Sequence, residues 1–198
     1  MSPEHLNNQS VFSDNAEDVL EKQLRWLYGN VIYTHKTHGK NADNLQCFLK
    51  HLKFWQVVLS AITVSGFASI LFELNQIGLI IGGVVSVVLL CINLYMNGTS
   101  IAEAAQRHRN TAAEIWKIRE KLYSLIIDLR IGSKSIETTQ KSRDLISDEL
   151  YSIYKNAPDT NAKSYRMARK AIKKEEEASF TKLELDTILP SPDNNVQS

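Results

Sequence analysis

Small and polar side chains recur at helical spacing inside two stretches that are otherwise apolar, and their pattern defines the clearest chemistry in the chain. Ala61, Ser65 and Ser69 stand four residues apart in the first stretch, and Gly78, Gly82 and Ser86 four apart in the second. Small residues at that interval let helix backbones approach closely, so dispersion and weak hydrogen bonds favour association. The ladders either pack the two helices of one hairpin together or drive association of several copies; the spacing allows both. A second set is polar. Gln56, Ser60 and Thr63 share one face of the first stretch, and Ser86, Asn93 and Asn97 one face of the second. An amide in hydrocarbon is costly without a partner. A ring of hairpins could enclose a water-filled path with these groups as candidate pore lining, which one hairpin cannot do. The alternative is an interhelical hydrogen bond within the monomer.

Elsewhere the chemistry-bearing residues form no catalytic set. His35, His38, His51 and His108 are scattered, and His108 lies on an apolar stripe where a packed or hydrogen-bonded ring is expected. Asp128 and Asp144 are lone carboxylates beside basic residues and read as ion-paired helix positions. The chain has no His-Glu-x-x-His, no Gly-x-Ser-x-Gly and no phosphate-cradling glycine loop. Cys47 and Cys91 read as apolar fillers in a reducing compartment. A non-enzymatic protein without cofactor or metal is therefore expected. Lys163, Arg166, Arg169, Lys170, Lys173 and Lys174 form a basic cluster, followed at once by Glu175-Glu176-Glu177. It reads either as a solvated helical face or as a site for anionic headgroups or a phosphate ligand.

The elements that must carry these residues follow from length and charge. Trp55–Phe72 and Ile77–Met96 contain no charged residue and are separated by Glu73-Leu74-Asn75-Gln76. At about 1.5 Å per residue, 18–20 residues cross roughly 30 Å of hydrocarbon. This predicts a transmembrane hairpin over residues 54–96, with spans 55–72 and 77–96; the alternative is a long central helix pair in a soluble bundle. Lys36, Lys40, Lys50 and Lys53 precede the first span, Arg107 and Arg109 follow the second, and the loop has no Lys or Arg. The positive-inside rule then predicts a multi-pass protein of the inner membrane with both termini cytoplasmic. An apolar stretch beginning beyond residue 50 does not read as a cleavable signal peptide. No segment is basic enough for bulk nucleic-acid binding, and the formal net charge is +1.

Outside the hairpin the periodicity is helical. Residues 1–13 carry no pattern and are expected to be disordered. Residues 14–53 predict cytosolic N-terminal helices, opened by Asp14 with Glu17, carried by Leu20, Leu24 and Leu27, and broken at Thr37-His38-Gly39-Lys40-Asn41. Residues 97–189 predict a cytosolic helical bundle. Asn97-Gly98 weakens the helix, Ser100 with Glu103 matches a capping box, and a continuous helix is equally allowed. Ile101, Ala105, His108, Ala112, Ile115, Leu122, Leu125, Ile126 and Leu129 then form one long stripe that Gly132 stops. Ser133 or Ser135 caps the next helix, Pro158 ends it, and Asp159 or Thr160 caps the last. Residues 190–198 read as a disordered tail. The predicted fold class is all-α: a two-helix transmembrane hairpin with a cytosolic helical bundle.

The cytosolic half carries a recognisable order of residues: His108, Ala113-Glu114, Trp116, Ile118-Arg119-Glu120, Tyr123, Leu125 and Asp128. After them come Lys141, Arg143-Asp144-Leu145, Ile153-Tyr154, Ala157-Pro158 and Thr160, then Ser179-Phe180, Glu184-Leu185-Asp186 and Leu189-Pro190. Placed after a two-helix hairpin, this set resembles the SLATT family, the SMODS- and SLOG-associating two-transmembrane effector proteins. The resemblance covers about Ala16 to Pro190. It implies a bacterial effector of a nucleotide second-messenger antiphage system, acting by pore formation or membrane disruption. It further implies a lipid bilayer and a homo-oligomer as partners, and a nucleotide synthetase or sensor delivering the signal through contact or through direct binding to the bundle. It carries over no catalytic residue. It suggests that Trp116, Arg119, Tyr123, Asp128, Arg143, Asp144, Tyr154 and Pro158 act together. In that view Arg119 with Asp128, or Arg143 with Asp144, fixes how the helices pack in a bundle with two arrangements, while Trp116 and Tyr123 read as plain core.

Overall fold

A computed structural model of the chain describes residues 3–71 and 76–174, with side chains described over 16–68 and 77–174. Every element there is helical: α1 (Pro3–Leu71), α2 (Gln76–Gly98), α3 (Ile101–Arg130), α4 (Ile136–Asn156) and α5 (Ala162–Lys174). Among the described residues there is no strand. The side chains of Asp14 and Ser69, the loop residues Glu73-Leu74-Asn75, the motif at Ser179–Pro190 and the tail 190–198 lie outside the described residues.

The first helix overturns two expectations. It runs unbroken from Pro3 to Leu71, where a disordered start and a break at residues 37–41 are predicted from the sequence. Pro3 suits a first helical turn, where its missing N–H costs nothing. At the expected break, tertiary contacts override weak propensity. Thr37, His38 and Asn41 are buried against the rest of the bundle. The Thr37 hydroxyl donates to the Tyr33 carbonyl at 2.7 Å, keeping its polar group inside the helix. Nor do residues 14–53 form a unit of their own. α1 is the hub of the molecule and packs against each of the other four helices.

Several boundaries follow from local chemistry. Gly132 adopts φ +68°, a conformation that costs glycine little. Its N–H bonds the Leu129 carbonyl, and the Ser133 N–H bonds the Asp128 carbonyl at 3.0 Å, closing α3 in a Schellman motif. The Ser135 hydroxyl accepts from the Thr138 N–H and caps α4. Ala157, ahead of Pro158, is extended at φ −69°, ψ 142° and ends α4. For α5 the cap is Asn161, whose side chain accepts from the Ser164 N–H at 2.8 Å, rather than Asp159 or Thr160. Between α2 and α3, Thr99 and Ser100 do interrupt the helix, but Ser100 makes no side-chain cap and Glu103 pairs with Arg107 instead.

The stripe on α3 forms the core as its periodicity predicts: all nine of its residues are buried. Leu20, Leu24 and Val31 of α1, and Ile146 and Leu150 of α4, close over its lower half. Each fully buried Leu or Ile contributes roughly 1.5–3 kcal/mol. On α4, Leu145 is 71% exposed. Ile146 takes the inward position one residue later.

Candidate functional site

The two apolar helices meet along a seam made of backbone and polar side chains. A Cβ added at Gly66 would sit 2.8 Å from the Gly78 carbonyl oxygen and 2.8 Å from the Gly82 Cα. One added at Gly82 would lie 3.3 Å from the Gly66 Cα. The helices therefore touch backbone to backbone, which a side chain at Gly66 would prevent. Gly66 stands out of register with Ala61, Ser65 and Ser69, so a search for a four-residue ladder passes over it. The useful signal was simpler: it is the lone glycine of the first apolar stretch.

The candidate pore-lining residues take the same inner face. Gln56 Nε2 donates to Asn93 Oδ1 at 2.8 Å, joining α1 to α2 within one chain. Ser60 donates to the Gln56 carbonyl, Thr63 to the Leu59 carbonyl and Ser86 to the Gly83 carbonyl, each within its own helix. Gln56, Ser60, Thr63, Ser86 and Asn93 are all half-buried, whereas Asn97 is exposed near the end of α2. Gln56, Ser60, Thr63, Ser86 and Asn93 thus each make a hydrogen bond within the chain, which hydrocarbon favours. The two ladders separate. Gly78 and Gly82 lie in the seam, while Ala61 and Ser65 face outward, with the Ser65 hydroxyl returned to the Ala61 carbonyl at 2.9 Å.

Outside the seam the hairpin presents an apolar surface. Phe54, Trp55, Val57, Val64 and Phe67 of α1 are exposed, as are Ile80, Val84, Val87, Leu90 and Leu94 of α2. Among the described residues one helix, starting at Ile77, is long and apolar enough to cross a membrane, with almost none of its apolar window buried. The free cysteines Cys47 and Cys91 are exposed and make no disulfide.

Well ahead of the apolar region, α1 joins α3 and α5 through a buried polar layer. His38 Nδ1 and His108 Nδ1 lie 3.0 Å apart, so one ring donates and the other accepts. Burial first, then the neighbouring His108 and His35 rings, push the His38 pKa down to about 4; burial lowers that of His108 as well. Asn41 Oδ1 accepts from both the Ser164 hydroxyl at 2.7 Å and the Asn161 amide at 2.9 Å. His108 is thus the hydrogen-bonded histidine its stripe position predicts. The Asn41 link to α5 carried no signal in the sequence, because its partners lie 120 or more residues away.

The family-motif positions do not gather at one place. Trp116 is about half exposed, with the Arg119 guanidinium 6.0 Å from its ring, and Tyr123 is exposed with its ring 6.1 Å from that of Tyr28. Neither is core. Arg119 pairs with Glu120, and Asp128 with Lys134 at 2.7 Å, so the expected Arg119–Asp128 pair does not form. Arg143 does bond Asp144 at 2.7 Å, and also donates to Gln23 Oε1 at 2.8 Å, tying α4 to α1. Tyr154 borders a cleft between α1 and α5, and Pro158 a small hollow against α3.

Fold, seam and apolar surface together define a membrane-associated all-α protein. Its family follows from a direct match: the model of SMODS and SLOG-associating 2TM effector domain family 4 covers residues 20–184, and the chain belongs to that family. It is accordingly a two-transmembrane effector domain of nucleotide-signalling defence systems. Searches of curated proteins and of solved structures returned no match.

Proposed function

We propose that this protein is an inner-membrane effector whose hairpin crosses the bilayer twice, with both termini cytoplasmic, and which self-associates to permeabilise the membrane when its defence system is triggered. The observation that carries this reading is the sorting of side chains in the hairpin. Gln56, Asn93, Gly66, Gly78 and Gly82 are turned into the seam, and the apolar residues and the Ala61/Ser65 face are turned out. The outer small-residue face offers a second copy a close approach. Permeation would then require the seam to open, with Gln56, Ser60, Thr63 and Asn93 exchanging bonds within one chain for bonds to water and to neighbouring copies. No catalytic step enters the reading.

The test is induction of the full chain in bacteria, with a nucleotide-synthesising partner co-expressed, reading membrane potential and dye entry. Rapid depolarisation that Ser65→Leu abolishes is the expected result. Intact potential in the presence of the partner would overturn it. That outcome would favour a second reading, a non-conducting scaffold whose bundle docks a partner protein. The exposed Trp116 and Leu145, which border an open cleft between α3 and α4, favour that alternative.

A further inference from the structure

Far from the hairpin, α1, α4 and α5 surround a cleft of about 660 Å³. Its lining includes Asn30 and Tyr33 from α1, Tyr154 from the end of α4, and Tyr165, Arg169 and Lys173 from α5. The three α5 residues are spaced by four and so share one face of the helix, a strip about 12 Å long. Tyr33 and Tyr165 both line the cleft and pair with ring centroids 6.3 Å apart and planes tilted by 35°. Volume and lining suit a small molecule rather than a protein segment.

The charges in this cleft are unusual for the molecule. Arg25, Arg107, Arg109, Arg119, Arg130 and Arg143 all hold a carboxylate. Among the described residues Arg169 and Lys173 make no ion pair, and no carboxylate lines the cleft. Two cations with no carboxylate among the described lining residues attract an anion, and a guanidinium beside an ammonium suits phosphate. The three tyrosines add ring faces on which a planar base can stack, and Asn30 adds an amide that can pair with a base edge. Anion and aromatic ring in one ligand describe a nucleotide.

Position separates a free nucleotide from a lipid headgroup. Asn30 and Tyr33 precede Trp55 by more than 20 residues of unbroken helix, or about 30 Å. The headgroup layer is only about 5–8 Å deep on each side of the hydrocarbon, and charge is screened over about 8 Å at physiological salt. The cleft therefore faces the aqueous phase.

We propose that this cleft binds a soluble nucleotide, its phosphates held by Arg169 and Lys173 and its base against Tyr165 and Tyr154. The ligand would clamp α5 onto α1, the helix that continues into the seam. The assignment deepens the effector reading and rests on it for what binding regulates.

The experiment is calorimetric titration of the full chain in lipid nanodiscs with AMP, ATP and cyclic di-AMP, and with inorganic phosphate and phosphatidylglycerol vesicles as separate arms. At least one nucleotide should bind at micromolar concentration and far more tightly than phosphate. Arg169→Ala and Lys173→Ala should each weaken it about tenfold or more, and Tyr165→Leu severalfold, while Lys155→Ala changes nothing. These side chains lie on the surface, so unchanged helical content is the check on folding. No nucleotide binding, binding untouched by the Arg169 and Lys173 changes, or variant-sensitive binding to the vesicles instead, would overturn the proposal. Binding is read apart from permeabilisation. A nucleotide that binds without depolarisation sinks the effector reading alone, and depolarisation without binding sinks the cleft alone.

Discussion

The bundle and the hairpin share α1, yet they sort apolar side chains in opposite directions. In the bundle Leu24, Ile115, Ile118 and Leu122 are fully buried. In the hairpin Val57, Val64, Ile80, Val84 and Leu94 are between 62% and 69% exposed, and Gly82 is the one buried residue described there. Water can stabilise the first arrangement, because burial removes apolar area from it. It would penalise the second, whose outer surface needs an apolar solvent. Within that solvent the hairpin helices gain nothing from hiding Leu or Val. What holds them is close backbone contact at Gly66 and Gly82 and the Gln56–Asn93 bond. One continuous helix thus obeys two sets of rules, and the change occurs between the His38–His108 layer and Trp55.

That contrast can be broken at several points. Leu122→Ala should have the largest effect, about 2–5 kcal/mol lost from the bundle. Thermal unfolding followed by bundle-specific probes should show it, with hairpin contacts in lipid unaltered; equal loss in both regions would mean that they fold as one unit. Acid should act next, and on the bundle alone. The folded His38, held at about 4, refuses a proton that the unfolded chain accepts below about 6.5. Stability should therefore be constant above pH 6.5 and fall by up to about 3 kcal/mol on going down to pH 4. Melts across that range check the slope, which His38→Leu should reduce, with His108 and His35, whose pKa values burial also lowers, supplying the remainder; a flat profile would show that the histidine layer is not closed to protons.

The hairpin responds to a different change. Gly66→Val should force the helices apart at a cost of about 1–3 kcal/mol, seen as loss of close α1–α2 distances in lipid, while bundle melting stays put. If the distances survive, the backbone contact is not what holds the seam. The smallest effect belongs to the amide pair. A double-mutant cycle on Gln56→Leu and Asn93→Leu in lipid should give a coupling of about 0.6–1.7 kcal/mol. Zero coupling would leave the glycines as the sole source of association.

Legibility in the sequence followed the same divide. The α3 stripe could be read residue by residue because water imposes a 3.6-residue period on a half-buried helix. Gly132, Ser135 and Pro158 could be read because their backbone chemistry is local. What escaped depends on distant partners. Nothing near Thr37–Asn41 shows that α3 and α5 will cover it, so a run with poor propensity looks like a break. Leu145 and Ile146 are neighbours of equal hydrophobicity, and packing alone decides which turns inward. In the seam the polar and small residues were identified from their spacing, but which ladder faces the partner helix was open. Lipid imposes no period on its apolar neighbours, so the deciding feature was a single missing side chain at Gly66. The cleft residues Asn30, Tyr33 and Tyr165 lie on separate helices and carried no joint signal.

The two connections between bundle and hairpin differ in stiffness. α2 and α3 meet at a joint, Thr99-Ser100, where the helix is interrupted. α1 has none: at 69 residues it is a strut about 100 Å long, with its only proline in the first turn. Helices bend sharply at identifiable defects and otherwise transmit motion as rods. A tilt of about 10° about the middle of such a strut carries each end sideways by about 9 Å, comparable to the 8–10 Å between packed helix axes. The joint on the other side lets α2 stay behind. The molecule is in this sense a lever with one fixed arm and one hinged arm, and its geometry converts a small rotation of the bundle into a shear of Gly66 past Gly82.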